Sequence, residues 1–116
     1  MSRVLNKYRN KPVKIDGIRF ASIAEGRRYS ELKLLERAKE IRALELQPSY
    51  PLSVNGHHIC TYIADFRYFE RGRTVVEDVK GFKTPEYEIK SKLFMALNPN
   101  VKFAEVKHGM TSWRAA

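Results

Sequence analysis

The first apolar alternation in the chain is short. Val13 and Ile15, then Ile18 and Phe20, flank Asp16-Gly17, and the pattern predicts a small hairpin over Pro12 to Phe20. Ser22-Ile23-Ala24-Glu25 follows with the form of a capping box, and a helix is expected from there to about Lys39. Ala24, Leu32, Leu35 and Ala38 form its apolar stripe at helical spacing, with Glu25 at the border of that stripe. Ile41 to Leu46 and Tyr50 to Val54 read as strands interrupted by Pro48 and Pro51. Asn55-Gly56 is the strongest hairpin signal in the chain and leads into a strand from Ile59 to Phe69. After the turn Glu70-Arg71-Gly72-Arg73, the β-branched run Thr74 to Lys80 has the composition of a central strand. Thr84-Pro85-Glu86 opens a second helix with an N-cap threonine, a proline at the first position and an early acid. Ile89, Leu93, Ala96 and Leu97 are its expected buried stripe. Asn98-Pro99-Asn100 stops it, and Val101 to Val106 is expected as the last strand. Helix, strands, helix, strand is the order of an α/β sandwich, a mixed sheet flanked by helices.

Two acidic positions break this pattern. Asp65 lies inside the expected strand Ile59 to Phe69, and Asp78 lies near the end of the β-branched run. Aspartate is a poor strand former and a buried charge is costly, so both need a reason. If Arg71-Gly72 is a two-residue hairpin loop, Asp65 falls directly opposite Asp78; a three-residue loop with a bulge brings Glu77 opposite instead. In either register two carboxylates meet with β-carbons about 5 Å apart. Such a pair persists if a cation lies between the acids or one is protonated. The strand period of two puts Lys80 on the same face as Asp78.

Paired acids with a lysine one step along form a coherent site for phosphodiester hydrolysis. Asp65 and Asp78 are the expected ligands of Mg²⁺, for which Mn²⁺ substitutes, and Lys80 is expected to orient the attacking water or stabilise charge on the phosphate. Glu25 is a candidate third acid if its helix packs across these strands, and Glu77 a secondary one. The competing reading is structural: an Asp65–Lys80 salt bridge with Asp78 solvated at a strand end.

Charge points to the same class of substrate. The 116 residues have a formal net charge of +9, and such a field attracts polyanions. Arg3, Lys7, Arg9, Lys11, Lys14 and Arg19 face the single acid Asp16 near the start of the chain, so residues 1–11 read as a basic arm before one domain over residues 12–116. Arg3, Lys7, Arg9, Lys11 and Lys14 are candidate DNA contacts, with Lys83 ahead of the second helix and Lys90 on it beside Tyr87. The lone Cys60 leaves no internal disulfide framework and fits a reducing, cytoplasmic setting. No apolar run is long enough to span a membrane and no secretory signal pattern opens the chain. His57-His58 lacks a further His or Cys pattern and reads as a hairpin edge. Gln47 has no role that chemistry alone assigns.

The ordered set of motifs resembles a known family. Asp65 followed by Asp78-Val79-Lys80 is similar to the paired motif of the PD-(D/E)XK nuclease superfamily, with Ala64 at the position of the name-giving proline. Phe20 to Glu25, Leu46-Gln47-Pro48, Tyr62 to Phe66, Val76 to Gly81 and Thr84 to Tyr87 together resemble a family of small phage and prophage proteins assigned to that superfamily, over roughly residues 7–107. The resemblance implies a restriction-endonuclease-like αβββαβ core, with Asp65 and Asp78 as metal acids, Lys80 as the lysine and Glu25 as the helical glutamate. Related architectures include phage endonuclease I junction resolvases and the nuclease subunit of heteromeric transposases. The expected function is a Mg²⁺-dependent endonuclease acting on branched or distorted duplex DNA in the cytoplasm of a bacterial host. A domain this small has little room for a specificity module, so a homodimer or a partner protein is expected. The alternatives are a catalytically silent nucleic-acid-binding module and a basic structural protein of a phage or ribosome.

Overall fold

The computed structural model describes residues 11–107 and 109–114. Strands β1 (Val13–Ile15) and β2 (Ile18–Phe20) form the expected hairpin, with Val13 opposite Phe20. Helix α1 (Ile23–Arg37) begins at the Ser22 cap, whose Oγ accepts the Glu25 N–H at 3.1 Å. The hairpin packs on α1 at Gly26, where a β-carbon would lie 2.8 Å from Val13 Cγ1. Tyr29 adds a hydrogen bond to Asp16 Oδ2 at 2.9 Å and a ring contact with Phe20 at 4.9 Å. This packing moves the buried face of the helix. Gly26, Tyr29 and Leu32 are buried, whereas Ala24 and Ala38 are exposed and Leu35 is half-buried. A tyrosine covers far more apolar area than an alanine, so the aromatic side of the helix faces the hairpin.

Five strands make the main sheet, in the order β3 (Arg42–Leu46), β6 (Phe66–Glu70), β7 (Arg73–Val79), β8 (Lys102–Lys107) and β9 (Met110–Arg114). Only β7 and β8 run parallel, joined through helix α2 (Pro85–Leu97); the other neighbours are antiparallel. A second hairpin, β4 (Ser49–Val54) and β5 (His57–Ile63), stands apart from this sheet. Its turn is the expected Asn55-Gly56, with φ of 51° and 82°. Arg71-Gly72, with φ of 52° and 77°, is likewise a two-residue turn, because positive φ at both central residues matches the twist of the flanking strands.

Two expectations change here. The strand expected from Ile59 to Phe69 is two strands in two different sheets, separated at Ala64-Asp65. The strands that pair with these, β3 and β4, break at the same level, at Gln47-Pro48. Gln47 adopts a left-handed φ of 52°, and Pro48 has no N–H to give a ladder. The backbone groups at the corner pair with one another: Gln47 N–H donates to Asp65 O at 2.9 Å, and Ala64 N–H to Pro48 O at 3.1 Å. Gln47 thus has a structural role at the bend. The second change is β9, which extends the sheet beyond the strand expected to be last.

The sheet separates two apolar cores. Phe20, Tyr29, Leu32, Ile41, Phe66, Tyr68 and Val75 form one beneath α1 and the first hairpin. Leu52, Tyr62, Val76, Tyr87, Phe94 and Phe103 belong to the other, beneath α2 and the β4–β5 hairpin. Helix α2 turns Tyr87, Ser91, Phe94 and Met95 inward. Of the stripe expected from sequence, Leu93 is half-buried, while Ile89, Ala96 and Leu97 are exposed. Phe94 decides the rotation, because its ring meets Tyr50, Tyr62 and Phe103 at centroid distances of 4.7, 5.2 and 5.8 Å. Among the described residues no helix is long and apolar enough to cross a membrane. Phe94→Ala is expected to lower unfolding free energy by about 3–5 kcal/mol, and Ile89→Ala by less than about 0.5 kcal/mol. Urea denaturation of the two variants checks which face of α2 is packed.

Candidate active site

Strand β7 is buried over Val75–Asp78, and its alternation sends neighbouring side chains to opposite cores. Asp78 faces α2, where it is 2% exposed and accepts a hydrogen bond from the Tyr62 hydroxyl at Oδ2. Lys80 lies just past the strand end, anchored by its N–H to Val106 O at 3.0 Å. Its Nζ is 3.8 Å from Asp78 Oδ1 and 4.3 Å from the centre of the Tyr87 ring. Asp65 reaches the same place from the corner between β5 and β6. The register that pairs Phe66 with Glu77 brings Asp65 alongside the Asp78-Val79 segment, as the two-residue loop requires. Its N–H donates to Glu77 O at 3.1 Å, and its Oδ2 accepts the Val79 N–H at 2.8 Å. Asp65 is therefore a corner residue and not a strand-interior one. A sharp bend tolerates aspartate, which removes part of the sequence anomaly.

The electrostatics show what this proximity costs. Burial, first of all, raises the Asp78 carboxyl to about 7; Glu105 and Glu25 push the same way, and Lys80 opposes them. Asp65 is raised chiefly by burial, with Glu77 adding to it and the Val79 N–H and Lys80 opposing. Glu25, in the first turn of α1, is raised by burial and then by Asp65, while the Ala21 backbone and Lys80 lower it. Asp65, Asp78, Glu25 and Lys80 thus share one electrostatic neighbourhood at one end of the sheet. An open cleft of about 250 Å³ borders Lys80, between Thr61 and Ile63 of β5 on one side and the α2 cap Thr84 and Lys90 of α2 on the other.

The remaining candidates fall elsewhere. Glu77 points the opposite way from Asp78 and is fully buried. Arg28 donates to its two oxygens at 2.8 and 2.7 Å, and the Tyr68 hydroxyl donates to Oε2. Both oxygens are occupied, so Glu77 is not a metal ligand in this arrangement. The structural alternative of an Asp65–Lys80 bridge with a solvated Asp78 does not match either: Asp78 is buried, and Asp65 is bonded to the β7 backbone. Lys83 pairs with Glu105 at 2.9 Å and Lys90 with Glu86 at 3.1 Å. Lys11 and Lys14 are exposed, and Arg3, Lys7 and Arg9 lie outside the described residues. His57 and His58 are exposed at the start of β5, and Cys60 is half-buried against the core beneath α2.

Sequence reasoning passed over Glu105, which stands beside Asp78 in the parallel pairing of β7 and β8. Lys83 and Arg114 bind it at 2.9 and 2.8 Å, the Tyr87 hydroxyl donates to it, and its carboxyl is held below the usual range although burial opposes this. The signal was present, since Glu105 is the one acid in the otherwise apolar stretch Phe103 to Val106.

Among the described residues no group of three or more His, Cys, Asp or Glu side chains is gathered closely enough to hold a metal ion. The donor set that the corner does offer is two carboxylates, Asp65 and Asp78, with no sulfur or imidazole. That set fits Mg²⁺, which takes one or two carboxylates and keeps several waters.

The raised Asp78 carboxyl makes stability pH-dependent. The folded state keeps this proton up to about pH 7, whereas the unfolded chain releases it near ~4. Between those values the folded state binds more protons, so stability falls as pH rises. Asp65 and Glu25 act with the same sign. Asp78→Asn in metal-free buffer is expected to flatten this slope and to stabilise the protein at pH 8 by up to about 4 kcal/mol, with little effect at pH 4. Thermal melts across that range check it; equal effects at both pH values would contradict it.

The family profile described as "Protein of unknown function (DUF1064)" matches residues 5–112 of the chain. Among curated proteins none matches. With nearly its whole length spanned by that profile, the chain belongs to the DUF1064 family.

Proposed function

We propose that this protein is a Mg²⁺-dependent endonuclease of the PD-(D/E)XK type that hydrolyses DNA phosphodiester bonds. The observation that carries the reading is the convergence of Asp65, Asp78 and Lys80 at the end of a central strand, with Asp78 buried, Asp65 half-buried and both acids held above the usual carboxylate range. The order α1, β3, β6, β7, α2, β8 also supports it. It corresponds to an αβββαβ core, with the β4–β5 hairpin inserted between the first two strands.

Asp65 and Asp78 would hold Mg²⁺, which supplies Lewis acidity toward the phosphate and the attacking water. The rest falls to the chain's own groups. Val79 N–H and the Tyr62 hydroxyl each tie down one oxygen of an acid and fix its orientation. Lys80, a quarter exposed and braced on the Tyr87 ring, is placed to orient water or to meet charge on a phosphate in the adjoining cleft. Glu25 approaches from α1 as the third acid. Outside this site, the basic arm positions the DNA backbone without reading sequence. A homodimer acting on branched or distorted duplexes is the assembly we propose, since the described residues include no separate element for reading bases.

One observation favours a catalytically silent DNA-binding module: Glu25 does not close a three-acid ligand set with Asp65 and Asp78. Labelled linear duplex, flap, four-way junction and single strand, incubated with and without Mg²⁺, separate the two readings. The nuclease cuts at least one of them, and Asp65→Ala and Asp78→Ala each abolish cutting while remaining folded. Lys80→Ala is expected to lose most turnover yet bind Mn²⁺ in calorimetry. Metal-independent binding of all four substrates without cleavage would establish the silent module instead. Deleting residues 1–11 is expected to weaken binding to every DNA alike and to lower the slope of log affinity against log salt by about 3 to 4. An unchanged slope would remove the arm from the interface.

A further inference from the structure

Glu77, like Glu105, has no place in the proposed chemistry, yet it touches every element that supplies an acid. Its carboxylate is gripped by the Arg28 guanidinium through Nε and Nη2 at 2.8 and 2.7 Å. Arg28 lies one helical turn after Glu25 on α1. Its third contact, Nη1 to Glu31 at 3.0 Å, holds the guanidinium against its own helix. The backbone carbonyl of Glu77 accepts the Asp65 N–H, which fixes the corner carrying Asp65. Its peptide leads directly into Asp78. One residue thus joins the helix of Glu25, the corner of Asp65 and the strand of Asp78.

We infer that the Arg28–Glu77 pair is a positioning device that sets the approach of Glu25 to Asp65 and Asp78. Stability is a poor reason for such a pair. Burying two ions is expensive, and apolar replacement of a whole buried pair is often neutral or stabilising. What a bidentate fork provides beyond apolar packing is direction: two parallel N–H···O bonds fix both the rotation and the height of α1 over β7. Apolar contacts beneath α1, among Tyr29, Leu32 and Phe66, tolerate small slides that would carry Glu25 away from the other acids. The inference rests on the reading of Asp65 and Asp78 as metal ligands, with Glu25 as their third acid.

The test replaces the device as a unit. In Arg28→Met/Tyr68→Phe/Glu77→Met no buried polar partner is left stranded, since Glu31 is open to solvent, so the urea midpoint is expected to equal or exceed that of the original protein. Mn²⁺ affinity by calorimetry is expected to fall about tenfold, as when groups that orient ligands are removed. Glu25→Gln should weaken Mn²⁺ binding in the original protein but hardly at all in the triple variant, a loss of coupling that a merely structural pair would not produce. Arg28→Lys, which keeps the charge without the fork, covers the case of a triple variant that does not fold; it too should bind Mn²⁺ more weakly. A metal-free arm uses amide exchange: the Asp65 N–H should exchange faster in both variants, while Val75 and Val76 keep their protection. Unchanged Asp65 protection, with an undiminished effect of Glu25→Gln, would overturn the inference. An original protein that binds no Mn²⁺ would instead overturn the nuclease reading and leave the exchange arm to decide on the positioning role.

Discussion

Strand β7 has a core on each side over Val75–Asp78, and most of the molecule follows from how that burial is satisfied. Val75 supplies one core and Val76 the other, so the strand can be central only if both faces are covered by separate layers. The chain meets that demand with α1 and its hairpin on one side and α2 with the β4–β5 hairpin on the other. Where the run reaches Glu77 and Asp78 the same double burial falls on two carboxylates, and the two faces deal with them differently. On the α1 side, Glu77 is neutralised by a guanidinium and a hydroxyl. On the α2 side, Asp78 has the Tyr62 hydroxyl, a lysine at 3.8 Å and the Asp65 backbone N–H, which do not offset its burial and leave its carboxyl well above the ordinary range.

That contrast separates structural acids from the chemical candidate. Glu77 and Glu105 flank Asp78, one before it along the strand and one beside it on β8, and both are saturated by cations and hydroxyls. Asp78 is not. An under-compensated buried carboxylate beside a second one is stable only while protonated or while a cation is present. The corner that delivers Asp65 sharpens the contrast, because the bend at Gln47-Pro48 and Ala64-Asp65 diverts the chain from the β4–β5 hairpin into the main sheet at the level of Asp78. The break between the β4–β5 and β3–β6 pairings therefore falls at the level where Asp65 joins Asp78.

Much of this was legible in the sequence. The Asp16-Gly17, Asn55-Gly56 and Arg71-Gly72 turns, the Ser22 and Thr84 caps and the β-branched run of β7 are local signals. Local steric and hydrogen-bonding preferences hold whatever packs around them, so most of the element order followed from residues alone, and the register bringing Asp65 to Asp78 was one of the two they allowed. Which side of each helix is buried did not follow. Ala24 and Ile89 are as apolar as a core position needs to be, but Tyr29 and Phe94 found larger partners across the molecule. The break at Ala64-Asp65 was hidden for a similar reason, since alternating apolar residues run through it and only the pairing of β5 with β4 and of β6 with β7 divides the strand.

The same division holds at the site. Composition and spacing determined that two acids and a lysine would share one end of a central strand, because strand period and turn length are properties of the chain itself. Only the tertiary structure decided that Glu77 would be locked to Arg28 while Asp78 stayed under-compensated, and that Glu105 would join them from a strand far along the chain. Those outcomes depend on which side chains the opposite faces of the sheet present to neighbouring acids, and no local preference encodes that.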